Sequence, residues 1–366
     1  MEMAQPPATD LRLADVLARL SNEVGVSGRE RAVRKLIREL IAGLALDHVE
    51  VDALGNLSVF KAGTGPEPRL RVMLAAHMDE VGLMITRIDK SGLLHFHIVG
   101  GVEERLLAGK RVVIGDEKVP GVIGAPVPHL QSAEQARKAI TAADLLVDIG
   151  ANSDKEAEAK VKVGDYGTFA TSFTLLGDDP AWPAVRGKAL DDRVGCTALI
   201  GLLAGSYPVD VVGVFTVQEE VGLRGAGVAS YRLQPDAAIV LEGTICDDAP
   251  RPPDEDETPV TRLGDGPALT IMDRSFVAHP GLLALLRESA TAEGLAIQYK
   301  APLLGGTDAG SLHTARGGVP TAVVAVPCRY IHGPAAILNL DDLTCTVSLV
   351  GAALRRLDRH FLQREE

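Results

Sequence analysis

The chain has 366 residues, which at about 150 residues per domain gives two to three domains and ample material for a buried core. Its 37 Lys and Arg against 49 Asp and Glu leave a net charge of −12, which argues against nucleic acid as a partner and leaves peptides and small molecules open. Hydrophobic content of 46% and charged content of 23% are those of an ordinary globular enzyme. No apolar run approaches the roughly 18 residues of a membrane helix, and MEMAQPPATD lacks the basic and apolar regions of a secretory leader. A cytoplasmic protein with no membrane partner is therefore expected. Cysteines at 196, 246, 328 and 345 show no C-x-x-C spacing and read as buried thiols in a reducing compartment.

In chain order, Leu13, Val16, Leu17 and Leu20 recur at helical spacing. A second helix is predicted from Ser27, where Glu30 completes a capping-box pattern ahead of Val33, Leu36, Ile37, Leu40 and Ile41. HVEVDALGNLSVF reads as two strands about a Gly-Asn turn, and LRVMLAAHMD as a buried strand with a polar end. From about Val81 to Ala181 the texture changes to short β-like runs (LMITRI, LLHFHIV, RVVIG, GVIGA) separated by turns, with one exposed stretch, QSAEQARKAITAADL. After Trp182 strands and helices alternate: VGCTALIGLLAG, VDVVGVFTV, GLRGAGVASYRL, AAIVLEG, a helix from Pro280 to about Gly294, and PTAVVAVP. That alternation predicts an α/β fold: a mixed, largely parallel sheet covered by helices on both faces, with an inserted small β-barrel. The boundaries are residues 1–78 and 182–366 for the discontinuous catalytic domain and 79–181 for the insertion. Disorder is expected only in the first ten or so residues and the last few, and the acidic, Pro-rich DDAPRPPDEDETPVTRLGDG reads as a surface loop.

Chemistry-bearing residues gather just past buried strands, where α/β sheets place their sites. His77 and Asp79 lie two apart at a strand end and so share a face. Asp191 and Asp192 precede a hydrophobic helix, Glu219 and Glu220 end the run VVGVFTVQ, Asp247 and Asp248 follow AAIVLEGTIC, and His332 follows PTAVVAVPCRY. Singly, each has a plainer reading: a surface pair, a helix N-cap, a solvated strand end. Jointly, imidazoles with carboxylates in excess suit two divalent ions sharing one bridging acid, and adjacent acids call for something positive between them. LLGGTDAGSLHTARGG offers either a backbone-rich substrate loop or a tight turn capped by Asp308. No Walker lysine motif or G-x-G-x-x-G follows a strand, so nucleotide binding has no support.

The segments AAHMDEVG, KALDDRVG, TVQEEVGLRGA, LEGTICDDAP, GGTDAG and RYIHGP, in that order, resemble the cocatalytic dizinc aminopeptidases of the tetrahedral glutamyl and deblocking family, some of which carry an endoglucanase label. The resemblance runs from about residue 11 over nearly the whole chain. It implies two divalent ions per subunit (Zn, with Co or Mn as alternatives), His77 pairing with Asp248 at one and His332 with Glu220 at the other, and Asp191 bridging them. It further implies that Asp79 orients His77, that Glu219 is the general base, that the Asp191–Asp192 peptide bond is cis, and that dimers formed through the insertion assemble into a dodecamer. Where the family usually has Ser after the last histidine and an acid shortly beyond, this chain has Gly333 and Ala336.

The expected reaction is removal of N-terminal residues from short peptides by a hydroxide held between the two ions, with Glu219 moving the proton. Three rivals stand beside it. A deacylase or carboxypeptidase would use similar ligands but needs a cation for a carboxylate, for which Arg329 and Arg224 are candidates. A non-catalytic, metal-stabilised assembly protein would give Glu219 no purpose. Glycoside hydrolysis would use paired carboxylates but not the histidines.

Overall fold

The computed structural model describes residues 12–125, 127, 129, 140–250, 260–300 and 305–363. The chain ends expected to be disordered, most of QSAEQARKAITAADL and the middle of the acidic Pro-rich loop lie outside these residues.

The strands are β1 (His48–Val51), β2 (Leu57–Lys61), β3 (Arg71–His77), β4 (Gly82–Ile88), β5 (Leu94–Val99), β6 (Arg111–Ile114), β7 (Val119–Gly124), β8 (Leu146–Asp148) and β9 (Tyr166–Phe169). They continue as β10 (Thr174–Leu176), β11 (Ala184–Gly187), β12 (Asp210–Thr216), β13 (Ala237–Cys246), β14 (Ala268–Thr270), β15 (Gln298–Lys300), β16 (Thr321–Arg329) and β17 (Ala336–Asn339). The helices are α1 (Leu13–Asn22), α2 (Arg31–Ile41), α3 (Asp154–Glu158), α4 (Leu190–Ala204), α5 (Arg224–Leu233), α6 (Pro280–Glu293), α7 (Ala309–Leu312) and α8 (Leu340–Arg356).

Strands β4 to β9 close into an antiparallel barrel in the order β4-β5-β8-β7-β6-β9. The others form a large mixed sheet in the order β1-β2-β12-β3-β13-β16-β17-β11-β10, with β14 and β15 attached beside β16. At its centre β12, β3, β13 and β16 are mutually parallel. This is the expected α/β sheet with a β-barrel set into it. The barrel strands run from Gly82 to Phe169, while β10, inside the expected 79–181 insertion, pairs with β11 in the large sheet.

Alternation along β3 explains the layers. Val72, Leu74 and Ala76 enter one core with α1, α4 and α8, whereas Met73 and Ala75 enter a second with α5 and α7. Both faces are covered, so the central strands read as continuous apolar runs. Replacing Leu74, which is fully buried, by Ala would cost about 2–5 kcal/mol. The barrel has its own core around Leu83, Ile85, Leu94, Ile114, Ile123 and Val147.

Helix α2 begins at Arg31 rather than Ser27, and no capping box forms. Ser27 Oγ instead donates to Asp79 Oδ2 (2.6 Å), and Glu30 Oε1 accepts from the Gly28 and Gln218 amides (2.7 and 3.2 Å). Ser27 is drawn to the end of β3, and Glu30 bridges the Gly28 amide beside the helix start to the Gln218 amide past β12.

Candidate metal centre and active site

The carboxyl ends of the four parallel strands converge on one cavity of about 390 Å³. His77 ends β3, Glu219 and Glu220 follow β12, Glu242 lies within β13, and His332 follows β16. Asp191 and Asp192 stand at the start of α4 with non-helical dihedrals, and the bond between them is cis.

Asp191 is central. Its Oδ1 lies 3.4 Å from His77 Nε2 and its Oδ2 lies 3.4 Å from His332 Nε2. Each histidine has its own glutamate: His77 Nε2 is 3.1 Å from Glu242 Oε1, and His332 Nε2 is 3.4 Å from Glu220 Oε2. Ligand atoms of His77, Asp191 and Glu242 lie within 4.8 Å of one another, as do those of Asp191, Glu220 and His332 and those of His77, Glu219 and Glu220; Asp191 is the carboxylate common to the first two triads. Glu219 Oε2 reaches to 3.9 Å from His77 Nε2 and lines the cavity.

The far nitrogens fix the rings. His77 Nδ1 donates to the Asp79 carbonyl (3.1 Å) and lies 3.4 Å from Asp79 Oδ1; His332 Nδ1 donates to the Gly101 carbonyl (3.2 Å), which follows barrel strand β5. Asp79 also accepts from the Glu219 amide through Oδ1 (3.0 Å) and from the Glu220 amide through Oδ2 (3.1 Å). One fully buried carboxylate thus sets the posture of a histidine and of both glutamates. Asp192 turns away from the cavity: its Oδ2 accepts from the His77 amide (3.0 Å) and its Oδ1 from the Gly195 amide (2.9 Å).

Five carboxylates, those of Asp79, Asp191, Glu219, Glu220 and Glu242, stand within 4 Å of two imidazoles here, with buried Asp308 behind them. Burial drives Glu219 well above the usual carboxylate range, Glu220 up to about 7, Glu242 to about 8 and Asp308 to about 6, and neighbouring carboxylates add to each rise. Burial would lower both histidines, but the acids outweigh it: His77 is held well above its ordinary value, chiefly by Glu219 and Glu242, and His332 at about 9. Asp191 moves the other way, because the two imidazoles at 3.4 Å, His332 and His77, overcome its desolvation. Asp191 Oδ1 and Glu242 Oε2 are sealed from solvent without a hydrogen-bond donor. A buried carboxylate oxygen lacking a donor is costly. Excess acid, two imidazoles and orphaned oxygens aimed at common points therefore fit divalent cations.

Of the sequence candidates, His77, Asp79, Asp191, Glu219, Glu220 and His332 come together. Asp248 does not. Its Oδ1 is held at 2.5 Å by Arg329 Nε, and its Oδ2 accepts from the Leu263 amide (3.1 Å). The carboxylate that stands beside His77 is instead that of Glu242, which lies six residues earlier, inside the strand. Register explains why: Val240 pairs with Ala75, so two residues further along each parallel strand Glu242 comes beside His77. The signal was a lone acid within the apolar run AAIVLEG. Arg329, a candidate carboxylate receiver, is occupied by Asp248, and Arg224 bonds Gln218 Oε1 at an exposed position. Asp308 caps no turn; its carboxylate accepts from Thr216 Oγ1, while Gly305, Gly306 and Thr307 before it line the cavity. Cys246 is buried and bonds the Thr261 carbonyl, as a core thiol would.

The profile of M42 glutamyl aminopeptidases matches residues 55–349. The chain is 37% identical to a putative aminopeptidase of Acetivibrio thermocellus (93% of this chain, 98% of that one) and 35% identical to the lysyl aminopeptidase of Pyrococcus furiosus (94% and 97%). Among solved structures it resembles the TET aminopeptidase of a marine-sediment Thaumarchaeota archaeon, with TM-score 0.89, 34% identity and coverage of 96% and 99%. It also resembles the Pyrococcus horikoshii TET1 peptidase, described as assembling into a tetrahedron or a large octahedral shell, with TM-score 0.81, 35% identity and coverage of 94% and 100%. With this sheet, this barrel and this convergence of strand ends, the chain belongs to the M42 aminopeptidase family and is a peptidase.

Proposed function

We propose that this peptidase seats two divalent cations and removes single residues from the free N-terminus of short peptides, with Glu219 as its general base. The observation that carries the reading is the double-sided Asp191: each of its oxygens faces a different histidine, and each histidine faces its own glutamate. His77, Asp191 and Glu242 would hold one ion; Asp191, Glu220 and His332 would hold the other. Imidazole with carboxylate and no thiolate suits Zn, Co or Mn. When bound, the ions supply Lewis acidity and lower the pKa of water towards about 7.

The chain's own groups do the rest. Asp79 holds His77 with its ligating nitrogen turned inwards and pins the backbone of Glu219 and Glu220. Glu219 makes no side-chain hydrogen bond among the described residues, and desolvation raises its basicity towards the working range of a general base. Its carboxylate takes the proton of the attacking water and returns it to the departing amine. The remaining acids favour the substrate's α-ammonium, which accounts for action at a free N-terminus only.

The test pairs aminoacyl-anilides with their N-acetylated forms, using chelated protein reloaded with Zn, Co or Mn. Only free-amine substrates should turn over, and only after reloading; equal turnover of acetylated substrates would favour a deacylase. By likeness to the TET peptidases we also propose assembly into dimers through the barrel, which exposes Leu106, Val122 and Val163, and of dimers into a dodecamer. Light scattering reads that mass directly. Among the described residues no helix is long and apolar enough to cross a membrane.

A further inference from the structure

Strand β12 runs beside β3 as far as Thr216, which pairs with His77, and there its ladder ends. The next four backbone amides belong to Val217, Gln218, Glu219 and Glu220, and buried amides beyond a ladder need other acceptors. Each finds a side-chain oxygen from much earlier in the chain. Val217 donates to Asn56 Oδ1 (3.0 Å), Gln218 to Glu30 Oε1 (3.2 Å), and Glu219 and Glu220 to the two oxygens of Asp79 (3.0 and 3.1 Å). All three acceptor side chains are buried.

Gln218 is the strained point of this turn. Its φ is +57°, a left-handed backbone that a non-glycine residue keeps only when its surroundings hold it there. The next residue is Glu219, whose carboxylate comes no nearer than 3.9 Å to His77 Nε2, beyond hydrogen-bond range, so the backbone aims it. Glu30 receives the Gln218 amide, and the same Oε1 accepts from the Gly28 amide (2.7 Å). Its neighbours are tied to β3: Ser27 Oγ donates to Asp79 Oδ2 (2.6 Å), and the Gly25 carbonyl accepts from the Glu80 amide (3.0 Å). The stretch from Gly25 to Glu30 thus lies across the ends of β3 and β12 and joins the residue behind His77 to the residue before Glu219.

We propose that Glu30 is a positioning residue for the general base: by accepting the Gln218 amide, its carboxylate oxygen fixes the left-handed turn that points Glu219 into the cavity. The inference rests on the reading of Glu219 as base and extends it to a side chain in a distant segment. What the turn needs from Glu30 is reach and an acceptor, not charge. Asp79 does not supply this, since its oxygens hold the two amides after Gln218 and leave that of Gln218 itself to Glu30.

Two substitutions separate reach from charge. Glu30→Gln keeps the length and an acceptor oxygen but loses the charge; Glu30→Asp keeps the charge and draws the oxygen back by one methylene. On leucine p-nitroanilide with cation-loaded enzyme, Glu30→Gln should stay within about threefold of wild type, whereas Glu30→Asp should lose about 10–100-fold in kcat with KM nearly unchanged. Elemental analysis should find the wild-type cation content in both. A second readout needs no turnover: in cation-free protein, hydrogen exchange of the peptide spanning residues 217–220 should quicken about tenfold or more in Glu30→Asp and hold in Glu30→Gln. Impairment of Glu30→Gln as deep as that of Glu30→Asp, wild-type kcat in Glu30→Asp, or cation loss in parallel with the loss of rate overturns the proposal. Near-wild-type turnover by Glu219→Gln overturns the base reading and this inference with it; an inactive Glu219→Gln beside a fully active Glu30→Asp overturns this inference alone.

Discussion

Asp79 and Glu80 are consecutive, both are essentially fully buried, and they serve opposite ends. Glu80 lies in a compensated cluster. Lys188 Nζ bonds both of its oxygens (2.8 and 2.9 Å), Thr168 Oγ1 from the barrel donates to Oε2 (2.7 Å), the Gly25 amide donates to Oε1 (2.9 Å), and Arg193 Nη2 stands at 3.5 Å. Burial would raise its pKa, but Lys188 and Arg193 overcome that and hold it low. Asp79 stands behind His77, where that imidazole, Ser27 and the Glu219 amide overcome its burial and hold its own carboxyl low, but in the cavity beyond it carboxylates outnumber imidazoles and Glu219, Glu220 and Glu242 are all driven upwards. Two buried ionic clusters, one residue apart in sequence, are thus told apart by whether their charges cancel. The cancelled one ties the barrel, the N-terminal helices and α4 together; the other awaits a positive ligand.

The largest effect should come from the shared acid. Asp191→Ala removes the acid shared by the two proposed triads, and peptide hydrolysis should drop to the uncatalysed background in a protein that still folds, read by circular dichroism. Glu219→Gln comes next, with a loss of about 10²–10⁴-fold in kcat measured on an aminoacyl-anilide; near-wild-type turnover would remove it as the base. Asp79→Asn should cost about 10–100-fold in cation affinity or activity, read by titration with a metal indicator.

On the compensated side the damage is to stability. Lys188→Met leaves Glu80 buried with only Arg193 as its cation and should destabilise the fold by about 3–5 kcal/mol in urea. The pH dependence should carry opposite signs in the two clusters. Glu80 has a depressed folded-state pKa, so its contribution is present above the unfolded value of about 4.5 and is lost as pH falls through the folded one. Glu220 and Glu242 are raised to about 7 and 8. Between about 4.5 and those values the folded chain keeps protons that the unfolded chain has released, so cation-free stability falls as pH rises across that window. Urea midpoints at several pH values, with and without added Zn, separate the two limbs. Zn should abolish the fall on the alkaline side and leave the acid limb in place.

Much of this was legible because apolar runs announce central strands and polar residues at their carboxyl ends announce a site. His77, Glu219, Glu220 and His332 were singled out that way, and Asp191 by its place ahead of a hydrophobic helix, and the structure brings the five side chains to one cluster. Glu242 was missed because it sits within its strand, where only the register against β3 reveals what it faces. Asp248 lies outside the cluster for the converse reason: a pair of acids past a strand has the look of a ligand, but the Asp248 carboxylate is bonded to Arg329 at the end of the neighbouring β16. The Ser27–Glu30 pattern has the local form of a cap, yet Ser27 bonds Asp79, and Glu30 accepts from the Gly28 and Gln218 amides and not from Ser27. Lys188 opens the segment KALDDRVG, yet its partner Glu80 shows only through burial, which sequence does not display.

Counting bound cations per chain in wild-type protein and in Glu219→Gln, by elemental analysis after gel filtration, tests the central claim most directly. Two ions in both proteins, with turnover lost only in the variant, is the predicted result. One ion or none in the wild type, or loss of an ion when Glu219 is changed, would contradict it.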